Sequence, residues 1–371
     1  MQILAKTAII VLRAVYFFFK LFLKPTKKIT LLSRQSNTPS DDFLLLRDAV
    51  IQQNPDIKVK IIAKKIPDGI LKKAGYGFSV FSQMYHIATS RVIVIDGYSI
   101  AVSVLKHKSN QKVVQIWHAL NIVKKFGYAT LGKPWGRNRQ IAEIMCMHKN
   151  YDYFVACSEN SAKVLAECFN MPSEKAVLLP LPRIDYILNS PDKRNEIENA
   201  YPDIFKKPIL LYAPTFRGNK VDLSWCEKAV DFEKYNVAVK LHPSDTLGCD
   251  CENPNILIDR KFTSFDWIKV CDSVVTDYSG MGFEAMLLNK KVYFYLYDYD
   301  EYTKNNGLAI NLWDEPIKQN VTKTADGLKA VLEKEYDFAG AEKYKEKYLS
   351  VGTKDCTLRL AEFIINLSEE N

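Results

Sequence analysis

Short apolar runs alternate with amphipathic stretches along most of the chain, beginning near Lys28. In the first half, the apolar runs predict strands at residues 29–32, 59–63, 92–95, 113–117, 153–156 and 177–179. Stretches with helical periodicity lie between them, among them 42–53 and 138–148. This alternation is typical of a parallel sheet with helices on its faces.

A proline-rich segment, LPLPRIDYILNSP at residues 179–191, interrupts the alternation and predicts a domain junction. A second series then begins, with strands predicted at 209–212, 237–240, 256–258, 273–276 and 292–295 and helices at 264–270, 281–288, 325–333 and 354–367. We therefore expect an N-terminal segment (1–28) and two Rossmann-like, doubly wound domains (29–185 and 186–371). Two such domains facing each other across a cleft form the GT-B architecture of nucleotide-dependent transferases.

The first residues combine apolar and basic character. The run TAIIVLRAVYFFFKLFL (7–23) contains Arg13 and Lys20, so no charge-free stretch reaches the roughly 20 residues that a spanning helix requires. Lys6, Arg13, Lys20 and Lys27 recur every seven residues and would form one stripe on a helix. A basic stripe on an apolar helix favours a membrane interface with anionic lipids. A helix docked on the protein's own core and a tilted span are the alternatives.

The charge of the chain lies mostly in this segment. Of the formal net charge of +8 over 371 residues, six basic residues and no acidic ones occur in residues 1–28, which leaves +2 for the remainder. A nearly neutral body argues against a nucleic-acid-binding face. The eight cysteines are scattered without a CxxC pair, which argues against a zinc site or a disulfide framework, and we expect neither a metal nor a cofactor.

In the first domain, one histidine follows a predicted strand directly. His118 lies in VVQIWHALNIVKKFG (113–127), at the carboxyl end where open α/β sheets bind ligands. An imidazole can accept a proton from an attacking hydroxyl near neutral pH. Taken alone, a histidine at such a position is more often structural.

In the second domain, three strand ends carry groups suited to phosphate oxygens. Thr215 and Arg217 lie in LLYAPTFRG (210–218), and His242 lies in VKLHPSD (239–245), where Pro243 would stop the strand. VVTDYSGMGFEAM (274–286) leads from a strand through Asp277, Ser279 and Gly280 into a helix, whose N–H groups favour anions. Each motif alone is an ordinary strand-to-loop transition, but together they suit a pyrophosphate.

The ordered set of motifs resembles the CDP-glycerol glycerophosphotransferase family, the primases and polymerases of wall teichoic acid and related polymers. The segments that carry the resemblance are LLSRQSNTPSDDF (31–43), WHALNIVKK (117–125), PRIDYI (182–187), YAPTFRG (212–218), KLHP (240–243), TDYSGMGFEAM (276–286), FYLYDYDEY (294–302) and KDCTLRL (354–360). The family implies a GT-B fold, peripheral attachment to the cytoplasmic face of the bacterial cell membrane, and metal-independent transfer.

The resemblance also implies roles for individual residues. His118 matches the histidine of the family's Trp-His-Gly motif and would be the base, and His242 would hold the donor diphosphate. Asp277, Tyr278 and Ser279 match its Asp-Tyr-Ser-Ser motif, where Gly280 replaces the second serine, and Ala119 replaces the glycine after His118. These departures leave the polyol in doubt.

The implied reaction transfers a polyol phosphate, with glycerol phosphate favoured, from a CDP-polyol to a prenyl-diphosphate-linked saccharide and releases CMP. The alternatives are a GT-B glycosyltransferase that uses a sugar nucleotide, which donor binding would distinguish, and an inactive membrane scaffold, which needs neither His118 nor His242.

Overall fold

The computed structural model describes residues 2–67, 70–242, 245–249 and 251–370, and the chain forms two compact units. Unit 1 comprises Met1–Ala119, Lys125–Tyr186 and Leu349–Asn371, and unit 2 comprises Leu120–Lys124 and Ile187–Tyr348. Each unit contains a six-stranded parallel sheet with helices.

The strands of unit 1 have the order β2-β1-β3-β4-β5-β6. They are β1 (Thr26–Ser33), β2 (Lys58–Ala63), β3 (Ser90–Ile95), β4 (Lys112–Gln115), β5 (Tyr153–Ala156) and β6 (Ala176–Leu178). The helices are α1 (Gln2–Phe22), α2 (Asp41–Gln53), α3 (Ile70–Ala88), α4 (Ile100–Ser103), α5 (Arg139–Ile144), α6 (Glu159–Phe169) and α7 (Pro182–Asn189), within which the chain passes to unit 2. Side chains of β1 and β3, such as Leu31 and Ile93, are fully buried, as expected for a sheet covered on both faces.

The strands of unit 2 have the order β12-β11-β10-β7-β8-β9. They are β7 (Ile209–Ala213), β8 (Asn236–Val239), β9 (Ile256–Ile258), β10 (Ser273–Thr276), β11 (Lys291–Tyr295) and β12 (Val321–Thr322). The helices are α8 (Arg194–Ala200), α9 (Ser224–Ala229), α10 (Ser264–Val270), α11 (Met281–Leu287), α12 (Tyr299–Asn305), α13 (Ala325–Glu333) and α14 (Phe338–Tyr348). The last helix, α15 (Cys356–Glu369), belongs to unit 1.

In each sheet the strand order changes direction once, which creates a crevice beyond the carboxyl ends of two neighbouring strands. In unit 1 the reversal lies between β1 and β3, and in unit 2 it lies between β7 and β10. Ligands of doubly wound sheets bind at such switch points. The two doubly wound sheets confirm the expected α/β fold class.

The C-terminal region differs from the domain division expected from the sequence. Residues 349–371 belong to unit 1, whereas the alternation of apolar runs and helices predicted them in the second domain. The reason is the apolar face of α15, where Leu360 and Ile364 are fully buried and pack against α2 and β3. The proline-rich junction is also partly helical, because Pro182 is the first residue of α7, where a missing N–H costs no hydrogen bond.

The N-terminal helix α1 has two different apolar faces. Ile9 and Tyr16 are buried against the protein, with Tyr16 only 1% exposed. Large side chains on the opposite side are exposed: Ile3, Ile10, Val11, Phe17, Phe18, Leu21 and Phe22. One face of α1 is therefore docked on the protein core, and the opposite face is an exposed apolar surface.

Only three of the four cations that were expected to form one stripe lie on the helix. α1 ends at Phe22, and Lys27 lies on β1, where its ammonium is 3.6 Å from Glu369, so placing it on the helix was wrong. Pro25 explains the break, because proline disfavours helical conformation in the residue before it. Within the described part of the chain, no helix is both long and apolar enough to span a membrane.

Candidate active site

The carboxyl ends of four strands in unit 2 meet at one edge of the sheet. Thr215 and Arg217 follow β7, His242 follows β8, Asp277 follows β10, and Asp298 follows β11. Because parallel strands all end at the same side, residues far apart in sequence come together at the β7/β10 switch point.

Thr215 and Asp277 join the two strands that flank this switch point. The Thr215 hydroxyl donates to Asp277 Oδ1 at 2.6 Å, and the Thr215 N–H donates to the same oxygen at 2.9 Å. Asp277 is 1% exposed, and Thr215 is also buried. Two charge-assisted hydrogen bonds in a buried setting hold the β7 and β10 loops in a fixed relation.

Arg217 adds two ion pairs to this cluster. Its Nη2 atom lies 2.9 Å from Asp277 Oδ2, and its Nε atom lies 2.8 Å from Asp298 Oδ2. Burial opposes the charge of the guanidinium, but Asp277 and Asp298 more than offset it and raise the pKa of Arg217 above its ordinary value. Because two carboxylates already bind this guanidinium, its evident role is to fix the strand-end loops.

Three tyrosines surround the Arg217 guanidinium. It lies 5.3, 5.8 and 4.8 Å from the ring centroids of Tyr278, Tyr297 and Tyr302. Tyr278 stacks on Tyr302 at 4.0 Å, and its hydroxyl donates to Asp298 Oδ1 at 3.1 Å. The aromatic rings shield the ion pairs from water and so strengthen them.

His242, Ser279 and Gly280 lie at the same edge but are more exposed. The His242 ring is exposed, 5.8 Å from the ring of Phe216, which lies between Thr215 and Arg217. Ser279 and Gly280 are half-exposed, and the Met281 N–H donates to the Ser279 hydroxyl at 3.3 Å. Pro243, which we expected to end the strand, lies outside the described residues.

Lys124 and Asp298 join the unit 2 cluster, although neither was predicted as a site residue. Lys124 belongs to the Leu120–Lys124 segment of unit 2 and forms an isolated backbone bridge with Leu308. Burial lowers the pKa of its ammonium, Asp277 raises it, and Arg217 lowers it. Both residues lie in quoted motifs, WHALNIVKK and FYLYDYDEY, but nothing in the sequence indicated that they approach the β7 edge.

His118 lies at the carboxyl edge of the unit 1 sheet. Its Nδ1 atom is 2.8 Å from the backbone oxygen of Asp96, and the Gln35 Nε2 atom is 3.2 Å from the same nitrogen. A carbonyl oxygen can only accept and the Gln35 amide nitrogen can only donate, so the two contacts require opposite tautomers. The shorter contact to Asp96 favours the proton on Nδ1, which leaves Nε2 as the basic nitrogen. Trp117, which precedes it, has a φ of 58°, an uncommon conformation for a bulky residue and one that turns the chain sharply after β4.

The other histidines of unit 1 have structural partners. His86 Nδ1 lies 2.7 Å from the Lys28 ammonium, and His107 contacts Tyr16 and the backbone of Val102. Burial lowers the pKa of His86 to about 4.

His148 is likewise unsuited to proton transfer. Its Nδ1 atom lies 3.1 Å from the Tyr151 hydroxyl, and burial lowers its pKa to about 3. It is therefore neutral at physiological pH. His118 remains the histidine of unit 1 whose placement suits a proton acceptor.

Asp96 is a buried carboxyl beside His118. Burial raises its pKa to about 7, and the nearby Asp42 contributes to the rise, whereas a hydrogen bond from Ser33 opposes it.

Across the described ranges, no group of three or more His, Cys, Asp or Glu side chains is arranged to hold a metal ion.

Comparisons with known proteins identify relatives over nearly the whole chain. The profile of the family CDP-Glycerol:Poly(glycerophosphate) glycerophosphotransferase matches residues 14–366. A teichoic acid ribitol-phosphate primase of Bacillus spizizenii is 28% identical, covering 91% of this chain and 90% of its own. A teichoic acid glycerol-phosphate primase of Bacillus subtilis is 26% identical, covering 99% of this chain and 98% of its own.

The fold has a counterpart among solved structures. A structure of the wall teichoic acid polymerase TagF superposes with a TM-score of 0.65 and 19% identity, covering 100% of this chain and 98% of that chain. This likeness concerns the fold and agrees with the expected GT-B architecture.

Proposed function

The chain belongs to the CDP-glycerol:poly(glycerophosphate) glycerophosphotransferase family, and we propose that it transfers a polyol phosphate from a CDP-activated donor to a membrane-linked saccharide during teichoic acid synthesis. The observation that carries this proposal is the family match over residues 14–366, which includes both units. Relatives named for glycerol phosphate and for ribitol phosphate are similarly distant, at 26% and 28% identity. Glycerol phosphate is the first donor to test.

In the proposed reaction, the acceptor hydroxyl oxygen attacks the phosphorus that bears the polyol. The hydroxyl proton passes to His118 Nε2, a new O–P bond forms, and the bond to the cytidylyl phosphate breaks to release CMP. The hydrogen bond from Nδ1 to the Asp96 carbonyl supports this role, because it orients the ring and stabilises the imidazolium that forms.

The donor diphosphate is proposed to bind at the β7/β10 edge of unit 2. His242, Ser279 and Gly280 are accessible there, and Lys124 adds a cation close to Asp277. The Thr215–Asp277–Arg217 cluster positions these loops. Charge on the leaving phosphate would then be stabilised by protein groups alone, which matters most in the transition state.

Attachment to the cytoplasmic face of the membrane is proposed to occur through α1. Phe17 and Phe18 are each more than half exposed, and Lys6, Arg13 and Lys20 lie on the same helix. Insertion of the aromatic side chains would remove apolar surface from water, and the cations would attract anionic lipids. The acceptor in this proposal is a prenyl-diphosphate-linked saccharide, which is confined to that membrane.

A donor screen tests the reaction. The purified chain is incubated with membrane extract and, separately, with CDP-glycerol, CDP-ribitol, UDP-sugars or GDP-sugars, and nucleotide release is measured. CMP release from one of the CDP-polyols is expected. Release only from a sugar nucleotide would instead identify a glycosyltransferase, and release from none would favour an inactive scaffold.

A further inference from the structure

The switch point of unit 1 contains buried polar atoms that lack hydrogen-bond partners. Arg34 follows β1 and Ser99 follows β3, so both lie where the sheet changes direction. In the part of the chain that the structure describes, Arg34 Nε, the Tyr76 hydroxyl and the Ser99 hydroxyl have no hydrogen-bond partner. Buried polar groups are normally satisfied, so this concentration indicates a place for a polar ligand.

The charge of Arg34 is not balanced by a nearby carboxylate. Its guanidinium lies 5.0 Å from the centre of the Tyr98 ring, and within the described ranges it forms no ion pair. Burial lowers the pKa of Arg34, tyrosines including Tyr76 and Tyr98 raise it, and Arg137 lowers it further. A half-buried guanidinium with another cation as its charged neighbour favours an anionic ligand.

An apolar cavity of about 250 Å³ lies beside the same tyrosine. Tyr98 lines it together with Ala5 of α1 and Ile141 of α5, and Arg137 is also part of its wall. The cavity therefore combines an apolar interior with a cation. It is bounded by α1, whose other face is exposed and apolar.

Aromatic contacts connect this cavity to the candidate base. The ring of Tyr98 lies 5.8 Å from His148, His148 lies 6.3 Å from Trp117, and Trp117 lies 4.1 Å from His118. A ligand bound at Arg34 and in the cavity would thus lie on the same edge of unit 1 as His118.

We propose that unit 1 binds a lipid diphosphate, with its anionic group on Arg34 and Arg137 and the first part of its hydrocarbon chain in the cavity beside Tyr98. This site would hold the lipid end of the acceptor. The identification of its ligand as the acceptor lipid rests on the proposed function. An amphiphilic anion satisfies both halves of the site, whereas a free phosphate uses only the guanidinium groups.

Calorimetric titration of the full chain with farnesyl diphosphate tests this site, with farnesol and inorganic pyrophosphate as the two halves of the probe. Wild-type protein is expected to bind farnesyl diphosphate at least about tenfold more tightly than either half. Arg34→Gln should weaken farnesyl diphosphate binding by about tenfold or more. Arg139→Gln, two residues from Arg137 and outside the cavity lining, is the matched control and should bind normally.

A second variant keeps the test independent of any effect of Arg34 on folding. Ala5→Phe fills the cavity from α1 and should weaken farnesyl diphosphate binding while leaving pyrophosphate binding unchanged. Equal binding of farnesyl diphosphate by wild type and Arg34→Gln would overturn the inference, as would pyrophosphate binding as tight as that of farnesyl diphosphate. CMP release from CDP-glycerol on the same preparations tests the proposed function separately, because a protein that turns over donor but ignores the probe contradicts only this site.

Discussion

The Nδ1 atom of His118 lies 2.8 Å from the backbone oxygen of Asp96, joining the ends of the neighbouring strands β4 and β3. This bond favours the tautomer with the proton on Nδ1 and anchors the ring to the sheet. The carboxyl of Asp96 is buried at the same place and resists ionisation. The proposed base is therefore held by the end of β3, where the buried Asp96 carboxyl makes the stability of the fold depend on pH.

Asp96→Asn should stabilise the protein at pH 7.5 relative to wild type but not at pH 4. The folded pKa of about 7 exceeds the ordinary 3.8, so between these values the unfolded chain loses a proton that the folded chain keeps. The wild-type free energy of unfolding thus falls as pH rises through this window, by roughly 4 kcal/mol. Urea unfolding at both pH values measures the difference, with Asp300→Asn, 88% exposed, as control. If Asp96→Asn changes the free energy of unfolding by the same amount at both pH values, the raised pKa of Asp96 is contradicted.

Arg217→Gln should lower the free energy of unfolding by about 3–5 kcal/mol, because it leaves Asp277 and Asp298 close together without their shared cation. Lys323→Gln, which breaks an exposed pair with Asp300, should cost no more than about 1 kcal/mol. Urea unfolding measures both variants. Wild-type stability combined with lost CDP binding would instead mean that Arg217 contacts the donor directly.

Phe17→Ser with Phe18→Ser should reduce binding to anionic vesicles by about a hundredfold, since each phenyl ring contributes at least about 1.5 kcal/mol when it leaves water. Vesicle sedimentation measures the loss, and Phe338→Ser, at a similarly exposed site in unit 2, is the control. Substitution is preferable to deleting residues 1–24, because Ile9 and Tyr16 are buried and their removal would expose the core. Undiminished sedimentation of the double variant would exclude this face as the anchor.

His242→Ala should lower turnover more than it weakens CDP binding, because a group that acts on the leaving phosphate contributes mainly in the transition state. The ring is exposed, so folding should be unaffected. Steady-state CMP release together with equilibrium CDP binding separates the two effects. An unchanged turnover number would remove His242 from the mechanism.

The sheets were largely predictable from sequence, because every strand predicted from an apolar run is present. β12 was missed since two residues carry no periodic pattern. α5 ends at Ile144, before the predicted 148, because Cys146 and His148 adopt positive φ values of 49° and 56° that a helix cannot contain. Such backbone conformations depend on tertiary packing, so the spacing of hydrophobic residues does not predict them.

The candidate site was predictable only in part. Strand ends located Thr215, Arg217 and Asp277, and the structure brings these three into contact. The partnership of Arg217 with Asp298 was not foreseen, because it requires knowing that β11 lies beside β10. Arg34 was likewise overlooked, since an arginine after a strand appears solvated until its buried Nε is seen to lack a partner among the described residues.

Turnover of His118→Ala is the most direct test of the proposed reaction. CMP release from the CDP-polyol that wild type accepts is measured for both proteins, together with CDP affinity and thermal unfolding. We predict a turnover number about 10²–10⁴-fold lower with donor affinity and unfolding temperature nearly unchanged, since general-base assistance is worth that much. A stable His118→Ala variant with wild-type turnover would contradict it.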